Sequence, residues 1–371
     1  MFSIATIADI HWNATNPDKL NKELTDVFLK YIRTHKIDMI VIAGDYYDSI
    51  VSLNSKASKL SMQFMANLIE LSSLVGVKYI RIIKGTSSHD NNQLSNLKVF
   101  EMNEKVNFKI YETVTKEDIE GYHILFLPEE YMKNVDEYYE DFFHETYDII
   151  FGHGMFKETS FVATKQESAI TLSKAPVFDS KAFCEMCNGP ILFGHIHTSC
   201  NIKKKITYVG SFSRWVYGEE EPKGFYVTIM EGKEWKNEFI ENIEVERYDT
   251  ITIINLEEYK DPEDFIREME SFRKDNLRIS LVLEEGKDYS YILSALREYY
   301  AKNPHYKLKT TDKTVAIKEA KQEERMTELL EKYGFIFDTN IPRSEKISKF
   351  IKVRDNQDIS TVDVAEILSL S

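Results

Sequence analysis

The first part of the chain alternates short apolar runs with amphipathic segments. Apolar runs at Ser3–Ala8, Met39–Ala43 and Tyr79–Ile83 have the length and β-branched content of strands. Between them, the segment Pro17–His35 and a second segment ending near Leu74 carry apolar residues at helical spacing. The pattern therefore predicts a βαβαβ order in this part of the chain.

Strand patterns dominate the region that follows, with one short helix predicted at Ser180–Met186. The predicted strands are Asn107–Thr113, Tyr122–Leu127, Asp148–Phe151, Pro190–Phe193, Ile206–Gly210 and Phe225–Met230. Together with the preceding unit, these strands favour an α/β fold in which a sheet or sandwich is flanked by helices.

From about Asp249 the pattern restarts as a second, smaller module. Its predicted elements are the strands Ile251–Asn255, Arg278–Leu283 and Lys307–Thr310 and the helices Asp261–Phe272 and Ser290–Ala301. This indicates a compact α+β module of roughly 70 residues. A charged stretch with helical spacing follows at Lys318–Lys332. Two short helices with apolar stripes are then predicted at Ser344–Val353 and Ser360–Leu370.

The length of 371 residues exceeds what one hydrophobic core usually supports. We therefore predict a large domain over residues 1–248, a small α+β domain over residues 249–317 and a helical linker and tail over residues 318–371. No apolar run approaches the roughly 20 residues of a membrane helix. The absence of a leader-like segment before the first strand and the odd count of three cysteines predict a cytoplasmic protein.

The formal charge of −14 argues against a broad basic surface for nucleic acid. A DNA enzyme with this charge would need bound cations, a local patch such as Lys203–Lys205, or a basic partner. Cys184 and Cys187 form a C-x-x-C pair, but a zinc site needs about four ligands and Cys200 is the only further thiol. Burial of these cysteines in a helix is the simpler interpretation.

Five polar clusters each follow a predicted strand, where loops can converge on one site. They are Asp9-Ile10-His11, Gly44-Asp45-Tyr46-Tyr47-Asp48, Gly85-Thr86-Ser87-Ser88-His89-Asp90, Gly152-His153-Gly154 and Gly194-His195-Ile196-His197. Each cluster alone is weak, since a single Asp-x-His or Gly-Asp is usually a cap or turn. Jointly they indicate a dinuclear metal site, because carboxylates and imidazoles on separate loops can surround two ions about 3.5 to 4 Å apart.

These motifs, in this order, resemble the calcineurin-like metallophosphoesterase superfamily. Within it the match is closest to SbcD-type double-strand-break repair nucleases and their bacteriophage counterparts, and the stretches Tyr208–Ser211 and Lys223–Tyr226 are also similar to that family. The resemblance implies a metallophosphoesterase β-sandwich flanked by helices, a small capping domain that contacts DNA, and a C-terminal tail that docks on an ATPase. Only the five motifs are specific.

Carried over by residue, the resemblance implies that Asp9, His11 and His197 hold one ion and that His153 and His195 hold the other. Asp45 would bridge the two ions, because a carboxylate has two oxygens. Two manganese ions are expected, with magnesium or iron as alternatives. Such a pair activates water for direct attack on phosphorus.

The third cluster supplies the remaining predicted roles. The resemblance implies that His89 is a non-ligand catalytic residue that helps the leaving oxygen depart, and Asp90 either orients that imidazole or caps the loop. The family has Asn directly before this His, whereas here the position is Ser88, a weaker neutral ligand. The longer loop could instead bring Thr86, Ser87, Asn91 or Asn92 into the vacant position. Asp48 is interpreted as a supporting residue rather than a ligand.

The resemblance therefore implies a manganese-dependent DNA exonuclease and endonuclease. Its expected partners are DNA, an SMC-like coiled-coil ATPase related to SbcC, and a second copy of itself in a homodimer. A phage-encoded member would act in the host cytoplasm. Two alternatives stay open: a stand-alone phosphodiesterase or phosphomonoesterase acting on small esters, and a non-enzymatic scaffold without metals. The terminal helices could also pack on their own domain instead of docking a partner.

Overall fold

The computed structural model describes residues 1–13, 15–131, 135–158, 176–219, 221–253, 261–271, 276–284, 286–303, 306–312, 342–355 and 360. The chain divides into two compact units, Met1–Arg247 and Tyr248–Ser371. None of the helices in the described part of the chain is long and apolar enough to cross a bilayer.

The first unit contains fourteen described strands and six α-helices. The strands are β1 (Phe2–Ile7), β2 (Met39–Ala43), β3 (Tyr79–Ile83), β4 (Asn107–Tyr111), β5 (Thr115–Ile119), β6 (Tyr122–Leu127), β7 (Ile149–His153), β8 (Met155–Phe156), β9 (Val177–Phe178), β10 (Ile191–Gly194), β11 (Cys200–Asn201), β12 (Ile206–Tyr208), β13 (Gly224–Glu231) and β14 (Glu234–Glu241). The helices are α1 (Pro17–Glu23), α2 (Lys30–Thr34), α3 (Lys56–Val75), α4 (Val135–Tyr138), α5 (Glu140–Phe143) and α6 (Ser180–Met186). A π-helical segment (Leu24–Leu29) joins α1 to α2, and a 3₁₀ helix covers Gln93–Met102.

Two six-stranded sheets form the centre of this unit. The first has the order β14-β13-β1-β2-β3-β4, in which β1 to β4 are parallel. The second has the order β11-β12-β10-β7-β6-β5, in which β12, β10, β7 and β6 are parallel. The antiparallel edges come from the hairpins β13–β14 and β5–β6 and from β11.

Alternation along each strand explains how the sheets pack. In β2, Met39, Val41 and Ala43 belong to the core between the two sheets. Ile40 and Ile42 lie on the other face, in the core that the first sheet shares with the flanking helices. Parallel strands covered on both faces appear as continuous apolar runs, which is why these strands were predictable. The predicted α/β fold, a sandwich flanked by helices, is confirmed.

The described part of the second unit contains a three-stranded sheet, two crossover helices and a further helix. Its elements are β15 (Tyr248–Ile253), α7 (Pro262–Ser271), β16 (Asn276–Leu283), α8 (Ser290–Lys302), β17 (Tyr306–Asp312) and α9 (Arg343–Asp355). Both strand pairs are parallel, so the unit is an α/β alternation rather than the α+β module expected. The predicted helix at Lys318–Lys332 lies outside the described residues. The predicted helix Ser360–Leu370 does too, apart from Ser360.

Candidate metal centre

The polar clusters meet where six parallel strands end, three from each sheet. In the first sheet, Asp9, Asp45 and the loop starting at Gly85 follow β1, β2 and β3. In the second sheet, His153 ends β7 and His195 follows β10. The carboxyl ends of neighbouring parallel strands lie at one edge of a sheet, so the two sheets bring these loops together. The sixth strand, β6, is followed by a residue that the motifs did not indicate, Glu129.

Backbone hydrogen bonds hold the first two loops together. The N–H of Asp9 donates to the Gly44 carbonyl at 3.2 Å, and the N–H of His11 donates to the Asp45 carbonyl at 3.0 Å. Asp9, His11 and Asp45 have positive φ angles of 48°, 55° and 47°, and His195 has one of 92°. Non-glycine residues adopt this conformation at an energetic cost. The cost is concentrated on the residues whose side chains form the site.

Two glycines make room for the site side chains. A Cβ on Gly44, whose φ is 86°, would lie 2.0 Å from the His153 ring. A Cβ on Gly85 would lie 2.2 Å from the Asp45 carboxylate. Any larger residue at either position would therefore displace a predicted metal ligand.

The first cluster of donor atoms comprises Asp9, His11 and His197, whose donor atoms lie within 4.8 Å of one another. Asp9 is buried and accepts from the His195 N–H at 3.0 Å. His197 Nδ1 donates to Glu219 Oε1 at 2.7 Å, which leaves Nε2 directed at His11 Nε2, 2.9 Å away. Two imidazole lone pairs at this distance repel unless a proton or cation lies between them, so the arrangement fits a cation.

The second cluster comprises Glu129, His153 and His195, all buried, and Asp45 lies beside it. His153 Nδ1 donates to the Ala43 carbonyl at 2.9 Å, so its Nε2 is the nitrogen available to a metal. That Nε2 is 3.3 Å from Asp45 Oδ2 and 3.5 Å from Glu129 Oε2. The predicted ligands other than Ser88 therefore lie together, in two groups.

Asp45 lies between the two clusters. Its Oδ2 atom is 3.3 Å from His153 Nε2 on one side and 4.0 Å from His11 Nε2 on the other. Its Oδ1 atom accepts from the Thr86 N–H at 2.6 Å. This is the position that a shared carboxylate ligand requires.

His89 also reaches this carboxylate. Its Nδ1 atom is 2.8 Å from Asp45 Oδ2. The His89 side chain is 24% exposed, so it lies at the solvent side of the site. Asp90 contacts backbone groups of the neighbouring loops. The Asp90 carboxylate is buried and accepts from the N–H groups of Tyr47 at 3.0 Å and Gly85 at 2.7 Å. Asp90 therefore ties two site loops together, which is the loop-cap alternative.

Ser88 differs from its expected place. Its side chain is exposed, whereas Thr86, two residues earlier, is fully buried in the site. The Thr86 hydroxyl lies 3.2 Å from Asp45 Oδ2 and 3.4 Å from both Glu129 Oε2 and His153 Nε2. The longer loop thus brings the Thr86 hydroxyl, rather than Ser88, into the site.

Carboxylates and imidazoles in the centre shift one another's pKa values. Burial acts to lower the pKa of His153, but Asp45, Asp9 and Glu129 raise it well above its usual value. Burial acts to raise the pKa of Asp45, but His153 and His89 hold it well below its usual value. Burial raises the pKa of Asp90 to about 7, helped by the charge of Asp45. Ionised carboxylates surrounding imidazoles in a buried site attract a cation.

Sequence reasoning missed Glu129 and Glu219. Glu129 stands after β6 as the other clusters stand after their strands, but no histidine or glycine accompanies it. Glu219 is distant in sequence from the strand ends of the site and contacts the site through His197. Strand-end position alone would have indicated Glu129, whereas nothing in the pattern indicated Glu219.

The donor set fits divalent cations. Buried carboxylates and imidazoles together suit manganese, iron or zinc better than magnesium, which prefers oxygen ligands and retains water. The supporting partners Ala43 and Glu219 fix two imidazole orientations, as metal-binding histidines require.

Comparison with known proteins agrees with this geometry. The family model described as calcineurin-like phosphoesterase matches residues 2–199, more than half of the chain. The chain belongs to this family. It is accordingly a phosphoesterase whose fold binds divalent metals, and the matched residues contain every predicted metal ligand and His89. No curated protein matches the phosphoesterase in sequence.

Several solved structures are similar to the phosphoesterase at low identity. A novel archaeal phosphodiesterase is 12% identical, with a TM-score of 0.32, over 64% of this chain and 99% of that one. A cold-active protein tyrosine phosphatase is 12% identical, with a TM-score of 0.34, over 65% of this chain and 77% of that one. Another, from the psychrophile Shewanella, is 10% identical, with a TM-score of 0.31, over 65% and 81%. Likeness at this level supports no conclusion about substrate.

Proposed function

We propose that this phosphoesterase is a manganese-dependent DNA exonuclease and endonuclease. It would act with an SMC-like coiled-coil ATPase in DNA repair, recombination or replication. The observation that carries the proposal is the position of Asp45, whose Oδ2 atom faces imidazoles of both clusters. A carboxylate between two sets of ligands is the arrangement of a two-metal phosphodiester hydrolase.

Each part of the centre has a role in this proposal. Asp9, His11 and His197 would hold one manganese ion, His153 and His195 the other, and Asp45 both. When bound, two divalent cations activate water and neutralise the charge that develops on the phosphate oxygens. His89, which keeps contact with solvent beside Asp45, would donate a proton to the leaving oxygen.

The choice of DNA as substrate depends on parts of the chain outside the catalytic centre. The second unit, Tyr248–Ser371, is additional to the family match and would be superfluous in an enzyme for small esters. The SbcD-like nucleases that the motifs resemble use such regions to contact DNA and to dock an ATPase. The homodimer expected from the same resemblance is part of this proposal.

One observation favours the alternative of a small-ester phosphodiesterase or phosphomonoesterase. The formal charge of −14 repels polyanions, so DNA binding by the isolated chain has to overcome it with bound cations or a basic partner. A phosphate monoester or cyclic nucleotide carries far fewer negative charges than DNA, so the electrostatic repulsion is much smaller.

A substrate comparison separates the two candidates. The chelator-stripped protein is supplied with manganese, with magnesium or with no metal, and is given linear duplex DNA, single-stranded DNA, a small phosphodiester and a small phosphomonoester. We expect manganese-dependent DNA cleavage, strengthened by a co-expressed coiled-coil ATPase. Hydrolysis of small esters with no DNA cleavage under either condition would favour the alternative.

The Asp45→Ala variant, purified in parallel, is the control for contaminating nuclease. Asp45 faces both clusters, so its loss should remove metal-dependent activity on every substrate, by at least about 10³-fold for an interaction of this electrostatic kind. DNA cleavage that survives in the variant would contradict the shared role of Asp45 or reveal a contaminant. Added chelator should remove the activity of the unmodified protein. Cleavage that persists in chelator would be metal-independent.

A further inference from the structure

Glu129 is a buried carboxylate at the sixth strand end of the site. It is 1% exposed and lies two residues beyond β6. Its N–H donates to the Lys84 carbonyl at 3.1 Å, which ties this loop to the end of β3, beside Gly85. The backbone of Glu129 is thus fixed to the same edge of the sandwich as the predicted metal ligands.

The two oxygens of Glu129 face different partners. Oε1 accepts from the Tyr131 hydroxyl at 2.8 Å. Oε2 is directed into the site, where it lies 3.0 Å from His195 Nδ1 and 3.5 Å from His153 Nε2. The Thr86 hydroxyl is 3.4 Å from the same oxygen. Tyr131 therefore orients the carboxylate so that one oxygen converges with two imidazole nitrogens.

We propose that Glu129 is a metal ligand. It would take the place of the neutral Asn amide that the family motif has and that this chain lacks. The second ion would be held by Glu129, His153 and His195 together with Asp45. The donor atoms of Glu129, His153 and His195 lie within 4.8 Å of one another, in a fully buried cluster. The inference rests on the dinuclear centre of the proposed function but not on the substrate.

The exchange changes the charge of the centre. An amide carbonyl is a neutral ligand, whereas Glu129 adds one negative charge to a centre that already contains Asp9 and Asp45. The formal charge of the loaded centre is therefore one unit less positive, and the attraction for the second cation is stronger. A serine in place of the amide would predict a weak second ion, whereas Glu129 predicts a firmly held one.

Burial strengthens the case for a ligand rather than a surface counter-charge. A fully buried carboxylate is unfavourable without a compensating positive charge, even when it is hydrogen bonded. Oε2 of Glu129 faces two histidines that the proposed function already assigns to a metal ion. With neutral, metal-bound imidazoles on both sides, the positive charge that compensates Glu129 has to come from the ion itself.

The test measures metal binding directly. The full chain is stripped with chelator and titrated with manganese by calorimetry, and free manganese is followed by its electron paramagnetic resonance signal. We expect two ions per chain in the unmodified protein. In Glu129→Gln, one ion should bind more weakly by at least the roughly 10- to 100-fold that a supporting contact contributes in other metal sites, with the other unchanged.

Glu130→Gln is the matched control. Glu130 is adjacent in sequence, but its oxygens accept from the Val114 N–H at 2.7 Å and the Tyr138 hydroxyl at 2.6 Å. This variant should bind both ions as the unmodified protein does. Ser88→Asn should also leave both affinities unchanged, because Ser88 is exposed. Tighter manganese binding in Ser88→Asn would show that residue 88 occupies the ligand position that the family fills with Asn. This result would overturn the proposal.

Because a glutamine amide can itself bind a metal ion, Glu129→Ala, which supplies no ligand oxygen, decides the outcome. Unchanged affinities for both ions in Glu129→Ala would also overturn the proposal and would leave Glu129 as a charge partner of the histidines. If this variant does not fold, Glu129→Asp decides the question, because it keeps the charge but shortens the reach by one methylene. Weaker binding of one ion in Glu129→Asp supports ligation by Glu129, and unchanged affinities for both ions contradict it. Because binding is measured without substrate, failure to cleave DNA would contradict the proposed function alone.

Discussion

At the residue scale, the candidate metal centre depends on partners that fix its imidazoles. His153 donates one nitrogen to the Ala43 carbonyl, and His197 donates one to Glu219. Asp48, which the sequence analysis interprets as a supporting residue, has Oδ1 at 3.5 Å from His11 Nδ1. In each ring the opposite nitrogen is the one that faces the site. Such partners raise ligand basicity and contribute to metal affinity without touching the metal.

His89→Ala separates catalysis from metal binding. His89 contacts Asp45 and keeps solvent exposure, which suits proton donation to a leaving group. We expect turnover to fall by about 10² to 10⁴-fold, the usual contribution of a general acid, with near-normal manganese affinity by calorimetry. His35→Ala, at an exposed residue following α2, should change neither quantity. A large loss of manganese affinity would instead make His89 a ligand, since its ring lies in a cluster with His11 and Asp45.

Glu219→Gln tests the support of His197. Burial acts to raise the pKa of Glu219, but the contact with His197 lowers it to about 2, so the carboxylate is ionised beside the ring. Its other oxygen accepts from the Trp215 N–H at 2.8 Å. We expect manganese affinity of one ion to fall by roughly 10- to 100-fold in a calorimetric titration. Glu221→Gln, an exposed neighbour, is the control, and equal affinities in both variants would exclude the supporting role.

At the element scale, strand ends from both sheets position the centre, so its geometry depends on how the two sheets pack against each other. Arg81 on β3 of the first sheet is fully buried and donates to Glu117 on β5 of the second at 2.8 Å and 3.0 Å. Lys109 also donates to this carboxylate at 2.6 Å. The bidentate pair joins the two sheets through polar groups.

Glu117→Ala should destabilise the first unit. The substitution leaves the Arg81 guanidinium buried without its carboxylate, which costs about 3 kcal/mol, the lower end of the range because Glu117 keeps some exposure. Urea unfolding followed by tryptophan fluorescence reports on this unit, which contains all three tryptophans. Glu112→Ala removes the exposed ion pair with Lys98 and should cost less than about 1 kcal/mol. Equal effects of the two variants would contradict an inter-sheet role for Arg81 and Glu117.

Two of the strands that sequence patterns missed share a physical reason. β5 (Thr115–Ile119) and β14 (Glu234–Glu241) are outer strands of the two sheets, and most of their residues are exposed or half-buried. An edge strand exposed in this way carries charged residues instead of an apolar run, so hairpin pairing rather than burial defines it. The central strands, buried on both faces, were visible as apolar runs.

At the scale of the whole molecule, the second unit and the net charge bear on the choice of substrate and partner. With a charge of −14, DNA binding in our proposal relies on bound cations or on a basic partner. The described helix α9 (Arg343–Asp355) falls within the segment that we expect to dock the ATPase. Its last turn carries Lys352 and Arg354.

Truncation after Thr339 tests the docking segment. The catalytic centre lies within Met1–Arg247, so hydrolysis of a small phosphodiester should be unchanged in the truncated protein. Co-purification with the co-expressed coiled-coil ATPase should be lost, because an amphipathic helix commonly docks into a groove of its partner. Full-affinity binding by the truncated protein would place docking elsewhere. If the truncated protein loses both small-ester hydrolysis and ATPase binding, the removed segment is needed for the fold of the phosphoesterase itself.

The sequence by itself determined the α/β class, the central strands and helices, and the ligands Asp9, His11, Asp45, His153, His195 and His197 as candidates. These follow from local information: apolar periodicity reports burial on both faces, and polar clusters at strand ends report where parallel strands meet. Only the tertiary structure decided which loop residue enters the site. Whether Ser88 or Thr86 points inward depends on the path of an irregular loop, and the role of Glu129 depends on the second sheet bringing β6 beside β7. Contacts of this kind join residues far apart in sequence, and no local pattern records them.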